Sequence, residues 1–178
     1  MKLTENELYE IHRVEPKGWE KIKEQIMKIE NSAFEKDVRQ NEDDLRETFE
    51  NDKSICLVVV DKNNNKIFAY TIGASLDWYT FLDFDPHYRK NDSFYIESTA
   101  VLPEYQGRGI GKMLKKILIE EVRKMGYKRI VCHATNEKIK HINEDFGFRV
   151  IGHIKKWVGK RDAWYMEKII VKIGPGGI

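Results

Sequence analysis

Residues 97–111 read Glu97-Ser98-Thr99-Ala100-Val101-Leu102-Pro103-Glu104-Tyr105-Gln106-Gly107-Arg108-Gly109-Ile110-Gly111, and this stretch decides the fold. A strand runs into a proline, then a glycine-rich turn, then a helix. The helix is read from its apolar spacing: Ile110, Met113, Leu114, Ile117, Leu118, Val122 and Met125 recur at steps of three and four. Gly126 supplies a stop. Gly107, Gly109 and Gly111 therefore stand at a helix N-terminus, where the first backbone N–H groups lack partners inside the helix. Without Cβ atoms they let a ligand come close to the backbone. Unpaired amides at the positive end of the helix dipole make an anion site, best suited to phosphate. Arg108 and Lys112 add positive charge beside it.

Counting tests two familiar phosphate loops. The pattern G-x-x-x-x-G-K-[ST] ending at Gly111-Lys112 needs Gly at 106 and Ser or Thr at 113, where the chain has Gln106 and Met113. The dinucleotide pattern G-x-G-x-x-G needs Gly at 112 or 114, which are Lys112 and Leu114. What fits is Gln106-x-x-Gly109-x-Gly111. It resembles the [R/Q]-x-x-G-x-[G/A] loop of the GNAT superfamily of N-acetyltransferases, which binds the pyrophosphate of coenzyme A. The resemblance covers about residues 93–150. It takes in Ala100-Val101, Pro103, Tyr105 to Gly111, the amphipathic helix, a buried strand, Asn136, and Gly147-Phe148. The bland alternative is a plain helix entry with glycines for tight packing. The fold class implied is α/β (α+β): a mixed, mostly antiparallel central sheet of about seven strands, flanked by about four helices and splayed at the central strand.

The 178 residues suit one domain, expected over 1–173, with a mobile glycine-rich tail at 174–178. The net charge of +2 gives no electrostatic demand for nucleic acid or an anionic membrane. An apolar fraction of 41% argues against disorder. Cys56 and Cys132 both fall in expected strands and read as reduced core residues of a cytoplasmic protein. No segment resembles a signal peptide or a membrane span. His12, His87, His133, His141 and His153 show no ligand spacing, so no metal is expected.

In chain order, Leu8 to Val14 alternates as a first strand. Trp19, Ile22, Ile26, Ile29, Ala33 and Phe34 recur at helical spacing, and Glu42 to Glu50 forms a second helix. Between them, Glu35 to Gln40 is a loop, which the resemblance places beside the acceptor site and which otherwise reads as a solvated connector. Ser54 to Val60 and Ile67 to Ile72 form a hairpin around the polar turn Asp61 to Lys66. Asp77 to Asn91 interleaves Trp78, Tyr79, Phe81, Phe84 and Tyr88 with Asp77, Asp83, Asp85 and His87. It reads either as a lid or pocket for a cationic amine or as a packed surface loop. Arg129 to Ala134 is the next strand. Asn136 caps a helix with Ile139, Ile142 and Phe146 on its inner face. Arg149 to Trp157 and Asp162 to Lys172 make a final hairpin around Gly159-Lys160-Arg161.

The resemblance also distributes the chemistry of acetyl transfer. It assigns Gln106, Gly107, Arg108, Gly109, Ile110, Gly111 and Lys112 to the pyrophosphate of acetyl-CoA. It assigns the backbone of Thr99, Ala100 and Val101 to the pantetheine and thioester, with one N–H stabilising the oxyanion, and it places Asn136 near the pantetheine. An alkyl amine is mostly protonated at neutral pH, so a base helps. Glu97, two residues before Thr99 on the same strand face, is the expected base through water, as in spermidine/spermine acetyltransferases. Its alternative is a half-exposed, ion-paired strand residue. The family's usual acid is a Tyr seven residues after the Asn, a position that is Asn143 here, and an amide is not a practical proton donor. Tyr165, His141 or water could substitute. Asp162-Ala163-x-x-Met166 is similar to enzymes acting on peptide N-termini, while the acidic, aromatic insertion slightly favours a small cationic amine. Dimers are common in the family, so a homodimer is a further expectation. The alternative function is a catalytically impaired, CoA-binding regulatory module.

Overall fold

The structure is a computed structural model, and it describes residues 1–5, 7–80, 82, 92–158 and 161–170. Four helices are present among them: α1 (Trp19–Ala33), α2 (Glu42–Glu50), α3 (Ile110–Lys124) and α4 (Glu137–Asp145). Eight strands form one sheet: β1 (Lys2–Glu5), β2 (Tyr9–Val14), β3 (Ile55–Asp61), β4 (Ile67–Ser75), β5 (Ser93–Val101), β6 (Arg129–Ala134), β7 (Arg149–Val158) and β8 (Arg161–Ile169). Their order is β1-β2-β3-β4-β5-β6-β8-β7. The strand beyond the expected seven is β1. It buries none of its residues, so it carries no apolar alternation to read.

By their contacts the residues fall into two compact units. The first comprises Met1–Ala74 and Ile96–Leu118. Its strands β1 to β4 pair antiparallel in sequence order. β3 and β4 read as continuous apolar runs because every residue from Ile55 to Val59 and from Ile67 to Ser75 is buried. α1 lays Trp19, Ile26 and Ile29 into the core, and α2 lays Leu45 and Phe49. Burial of each such side chain contributes about 1.5–3 kcal/mol.

The second unit comprises Ser75–Tyr95 and Ile119–Ile178. There β8 lies between β6 and β7 and pairs antiparallel with both. Arg129 and Arg149 both reach the buried carboxylate of Glu167, Arg149 donating from Nε at 2.8 Å. α4 departs from expectation. Ile139 is 38% exposed, and the buried residue of the helix is Asn143, 1% exposed. Ile139 sits in the first turn, while Asn143 donates from Nδ2 to Cys132 Sγ at 3.4 Å and Met166 Sδ at 3.5 Å. Of the insertion Asp77 to Asn91, only Asp77 to Thr80 and Leu82 are described. Trp78 is exposed and Tyr79 is buried. Phe81, Phe84, Tyr88, Asp83, Asp85 and His87 lie outside the described residues, as do Gly159, Lys160 and the tail 174–178.

Candidate functional site

β5 changes character along its length. Ser93 to Ile96 are all buried, but from Glu97 onward burial alternates. Ser98 and Ala100 face inward, while Glu97, Thr99 and Val101 are half-buried on the opposite face. Thr99 has its side chain committed: its Oγ1 lies 2.7 Å from Thr71 Oγ1, and Thr71 Oγ1 donates to the Ser98 carbonyl at 3.1 Å.

The chain then turns through a short 3-10 segment at Pro103–Tyr105. Leu102 N donates to the Phe68 carbonyl at 2.9 Å, tying the end of β5 to β4. Tyr105 stacks on Phe68 with ring centroids 4.1 Å apart and donates to Asp61 Oδ2 at 3.2 Å. Gln106 donates from Nε2 to the Val101 carbonyl at 2.9 Å. Arg108 donates to the Glu104 carbonyl at 2.9 Å and lies 5.3 Å from the Tyr105 ring centre. Gln106 and Arg108 thus brace the loop against its own approach. Tyr9 completes the brace, donating to Met113 Sδ at 3.2 Å.

What the brace presents is backbone. Gly107 and Gly109 have φ of +75° and +79°, conformations that L side chains rarely adopt. A Cβ built on Gly107, Gly109 or Gly111 meets nothing within 4 Å. Met113 N donates to the Gly109 carbonyl at 3.0 Å, so α3 begins directly on this turn. Among the described residues, the amides of Gly107 to Gly111 donate to no protein acceptor. Ile110 is buried and anchors the first turn, while Lys112 is exposed beside it. No acidic residue lies in that first turn. Amides without a protein acceptor, a positive dipole end and a neighbouring lysine are together suited to an anion.

Glu97, Thr99, Ala100, Val101 and Gln106 to Lys112 are thus together in the first unit. Asn136, Asn143 and Tyr165 belong to the second. Asn136 caps α4, its Oδ1 accepting from Ile139 N at 2.9 Å. Asn143 is turned into the core as described above. Tyr165 is half-buried on β8 and packs on His133, ring centroids 4.3 Å apart. His141 is an exposed surface residue 2.9 Å from Glu144. Among the described residues no group of three or more His, Cys, Asp or Glu could hold a metal ion, and no helix is long and apolar enough to cross a membrane. Cys56 and Cys132 are buried free thiols.

Two clusters went unread in the sequence. The first centres on Glu30, buried on α1. Its carboxylate accepts from the Tyr70 hydroxyl, from Gln40 N at 2.8 Å and from Ser98 Oγ at 3.5 Å. Burial holds its pKa above the ordinary carboxylate range, although these hydrogen bonds oppose the shift. Through Gln40 it pins the loop that follows α1. Its position four residues after Ile26 in the apolar stripe was a legible signal of burial. The second cluster joins Tyr95 to His133, the hydroxyl lying 2.8 Å from Nδ1. Burial pushes His133 down to about 3, so its ring is neutral at ordinary pH. Tyr95 shares a strand face with Glu97 on β5, a relation legible in the sequence.

The chain belongs to the acetyltransferase (GNAT) family, whose model matches residues 23–148. Solved structures agree in fold. The ribosomal-protein-S18-alanine N-acetyltransferase of Escherichia coli superposes with a TM-score of 0.72 at 20% identity, covering 96% of this chain and 99% of that one. Arabidopsis thaliana NAA60 in complex with acetyl-CoA gives 0.68 at 13% identity, over 91% and 98%. The spermidine/spermine N-acetyltransferase of Vibrio cholerae gives 0.63 at 16% identity, over 91% and 92%. Among curated protein sequences, none matches this chain.

Proposed function

We propose that this chain transfers the acetyl group of acetyl-CoA to a primary amine by direct attack in a ternary complex. The observation that carries the proposal is the run of amides at Gly107 to Gly111 that donate to no protein acceptor among the described residues, with open space where Cβ atoms would stand on Gly107, Gly109 and Gly111. These amides and Lys112 hold the pyrophosphate. The backbone of Thr99 to Val101 receives the pantetheine, and one of its N–H groups faces the developing oxyanion. Glu97 takes the proton of the acceptor ammonium, through water. With Asn143 buried against sulfur, Tyr165 serves as the acid. A small cationic amine is the favoured acceptor, since the Asp77–Asn91 segment is rich in acidic and aromatic residues and a polyamine acetyltransferase shares the fold. A protein N-terminus or a lysine is the competing acceptor, since the ribosomal-protein-alanine enzyme shares it too. Two buried free thiols suit the reducing cytoplasm.

One observation favours a second reading, a CoA-binding regulatory module. The position usually occupied by the acidic Tyr is Asn143, which is built into the core. CoA release from acetyl-CoA separates the two, measured with pooled polyamines, amino acids, aminoglycosides and N-terminal peptides against an acceptor-free blank. Release above the blank in one pool, lost in Glu97→Gln, establishes the transferase. Tight acetyl-CoA binding with no release in any pool favours the module.

A further inference from the structure

The two faces of β5 are tied to β4 at neighbouring residues. On the inward face, Ser98 Oγ lies 3.1 Å from the Tyr70 hydroxyl. On the other face, the fully buried Thr71 meets the Ser98 carbonyl at 3.1 Å and Thr99 Oγ1 at 2.7 Å. A threonine hydroxyl carries one proton, and a carbonyl can only accept. Thr71 donates to the Ser98 carbonyl, so its proton is committed there. The 2.7 Å contact is then made by the Thr99 proton, donated to Thr71 Oγ1. Reversing that contact would take a donor away from a carbonyl in the interior, which is costly. Thr99 Oγ1 is left with acceptor capacity and no proton to give. Thr99 is half-buried, as is Glu97 on the same face, so this side of β5 is open in part to solvent.

Two acceptors therefore leave one face of β5 two residues apart, the Glu97 carboxylate and the Thr99 hydroxyl oxygen. At about 3.3 Å of rise per residue they leave the strand about 6.6 Å apart. One nitrogen and one water bridge such a gap with hydrogen bonds of about 2.8–2.9 Å. We propose that Thr99 binds the acceptor amine, its hydroxyl oxygen accepting one N–H of the nitrogen that Glu97 deprotonates, and that Thr71 is the positioning residue that keeps this oxygen an acceptor. The inference rests on the acetyl-transfer reading. An alkylammonium has three N–H groups. One gives its proton through water to Glu97, and the electron pair of that N–H bond stays on nitrogen as the attacking lone pair. The N–H held by Thr99 stops rotation about the C–N bond, so the lone pair keeps one direction. Thr99 thus serves twice, its backbone on the pantetheine and its side chain on the nucleophile. Thr71, Glu97, Ser98 and Thr99 all lie in the first unit. A cation without N–H donors, such as a quaternary ammonium, is not held in this way.

The first test needs no turnover. n-Butylammonium is titrated into the full chain in the presence of CoA, and binding is read on the backbone amide NMR signals of residues 97–101. Butyltrimethylammonium serves as the cation without N–H groups. The wild type and Thr99→Ser bind n-butylammonium in preference to the quaternary ion. Thr99→Val keeps the shape without the oxygen and binds it about tenfold more weakly, the scale of one hydrogen bond to a charged group. Thr71→Val releases the Thr99 proton and falls between the two. Equal binding of both cations, undiminished binding in Thr99→Val, or no n-butylammonium binding by the wild type overturns the proposal. The second test uses the acceptor found in the pooled assay. Thr99→Val raises its KM about tenfold, Thr99→Ser restores it, and acetyl-CoA affinity stays unchanged. A hydroxyl pair that served stability alone would lower Tm in Thr99→Val and leave this KM where it is, which overturns the proposal. Preference for the N–H cation without CoA release in any pool supports the amine site and counts against the transferase. Release in a pool without that preference does the reverse.

Discussion

Three helices of this chain begin in two different ways. α2 starts on Asn41, whose Oδ1 accepts from Asp44 N at 2.9 Å, and α4 starts on Asn136, whose Oδ1 accepts from Ile139 N at the same distance. Both carry acidic residues in the first turn, Glu42, Asp43 and Asp44 in one and Glu137 in the other. Each helix thus answers its own orphan amides and its own dipole. α3 starts on Gly109, which has no side chain to cap with, and has no acidic residue in its first turn. Forgoing a cap costs about 1 kcal/mol, a cost that a 15-residue helix with Leu114, Leu118 and Val122 fully buried can absorb. A helix start that leaves its amides without protein acceptors, beside glycines facing open space, is suited to be completed by an anion. Glycine alone does not make that case. A Cβ on Gly18 would stand 2.6 Å from Val14 Cγ1, so that glycine serves packing.

The contrast breaks most severely at Gly109. Gly109→Val puts a β-branched residue at φ +79°, where L residues cost about 1–2 kcal/mol. It also fills the space above the amides. CoA affinity should fall on the order of 100-fold, about 2.7 kcal/mol by calorimetric titration, while thermal unfolding shows only the smaller backbone cost. Unchanged affinity in the folded variant would mean that the loop is only a structural helix entry.

A gentler change converts the start of α3 into that of α2. Lys112→Glu places an acid in the first turn, where it stabilises the helix by about 0.3–1 kcal/mol through the dipole. The same charge repels a pyrophosphate, so CoA should bind about tenfold more weakly, 1.4 kcal/mol. Opposite signs for stability and affinity are the signature. If both move together, the positive end of α3 is not where the ligand sits.

These signals were open to a reader of the sequence because they are local. Glycine spacing, the apolar stripe of α3 and the two Asn caps each lie within a few residues. The partners of Glu30 were not legible, since Tyr70 and Ser98 stand 40 and 68 residues away. Tyr95 and His133 meet across 38 residues for the same reason. Ile139 and Asn143 share the cause from the other side. Periodicity assigned the apolar residue inward, but two sulfur atoms on β6 and β8 made the amide the better fit. β1 escaped because an edge strand of Lys2, Leu3, Thr4 and Glu5 buries nothing.

The smallest effect is expected where the two capped helices are set against each other. Asn41→Ala and Asn136→Ala each remove one 2.9 Å side-chain acceptor from a backbone amide. Each should lose about 1 kcal/mol, a Tm drop of roughly 2–4 °C for a chain of this size. They should part in CoA affinity. The cap on α4 uses only the oxygen of Asn136, and its amide nitrogen carries two donors that a pantetheine carbonyl could use. Asn41→Ala should leave CoA affinity unchanged, and Asn136→Ala should lower it by about threefold, half of a tenfold step in free energy. Asn136→Asp sharpens the point, because a carboxylate caps as well as an amide but donates nothing. Its stability should match the wild type while its affinity stays low. If all three variants bind CoA alike, Asn136 does for α4 only what Asn41 does for α2, and α3 alone meets the ligand.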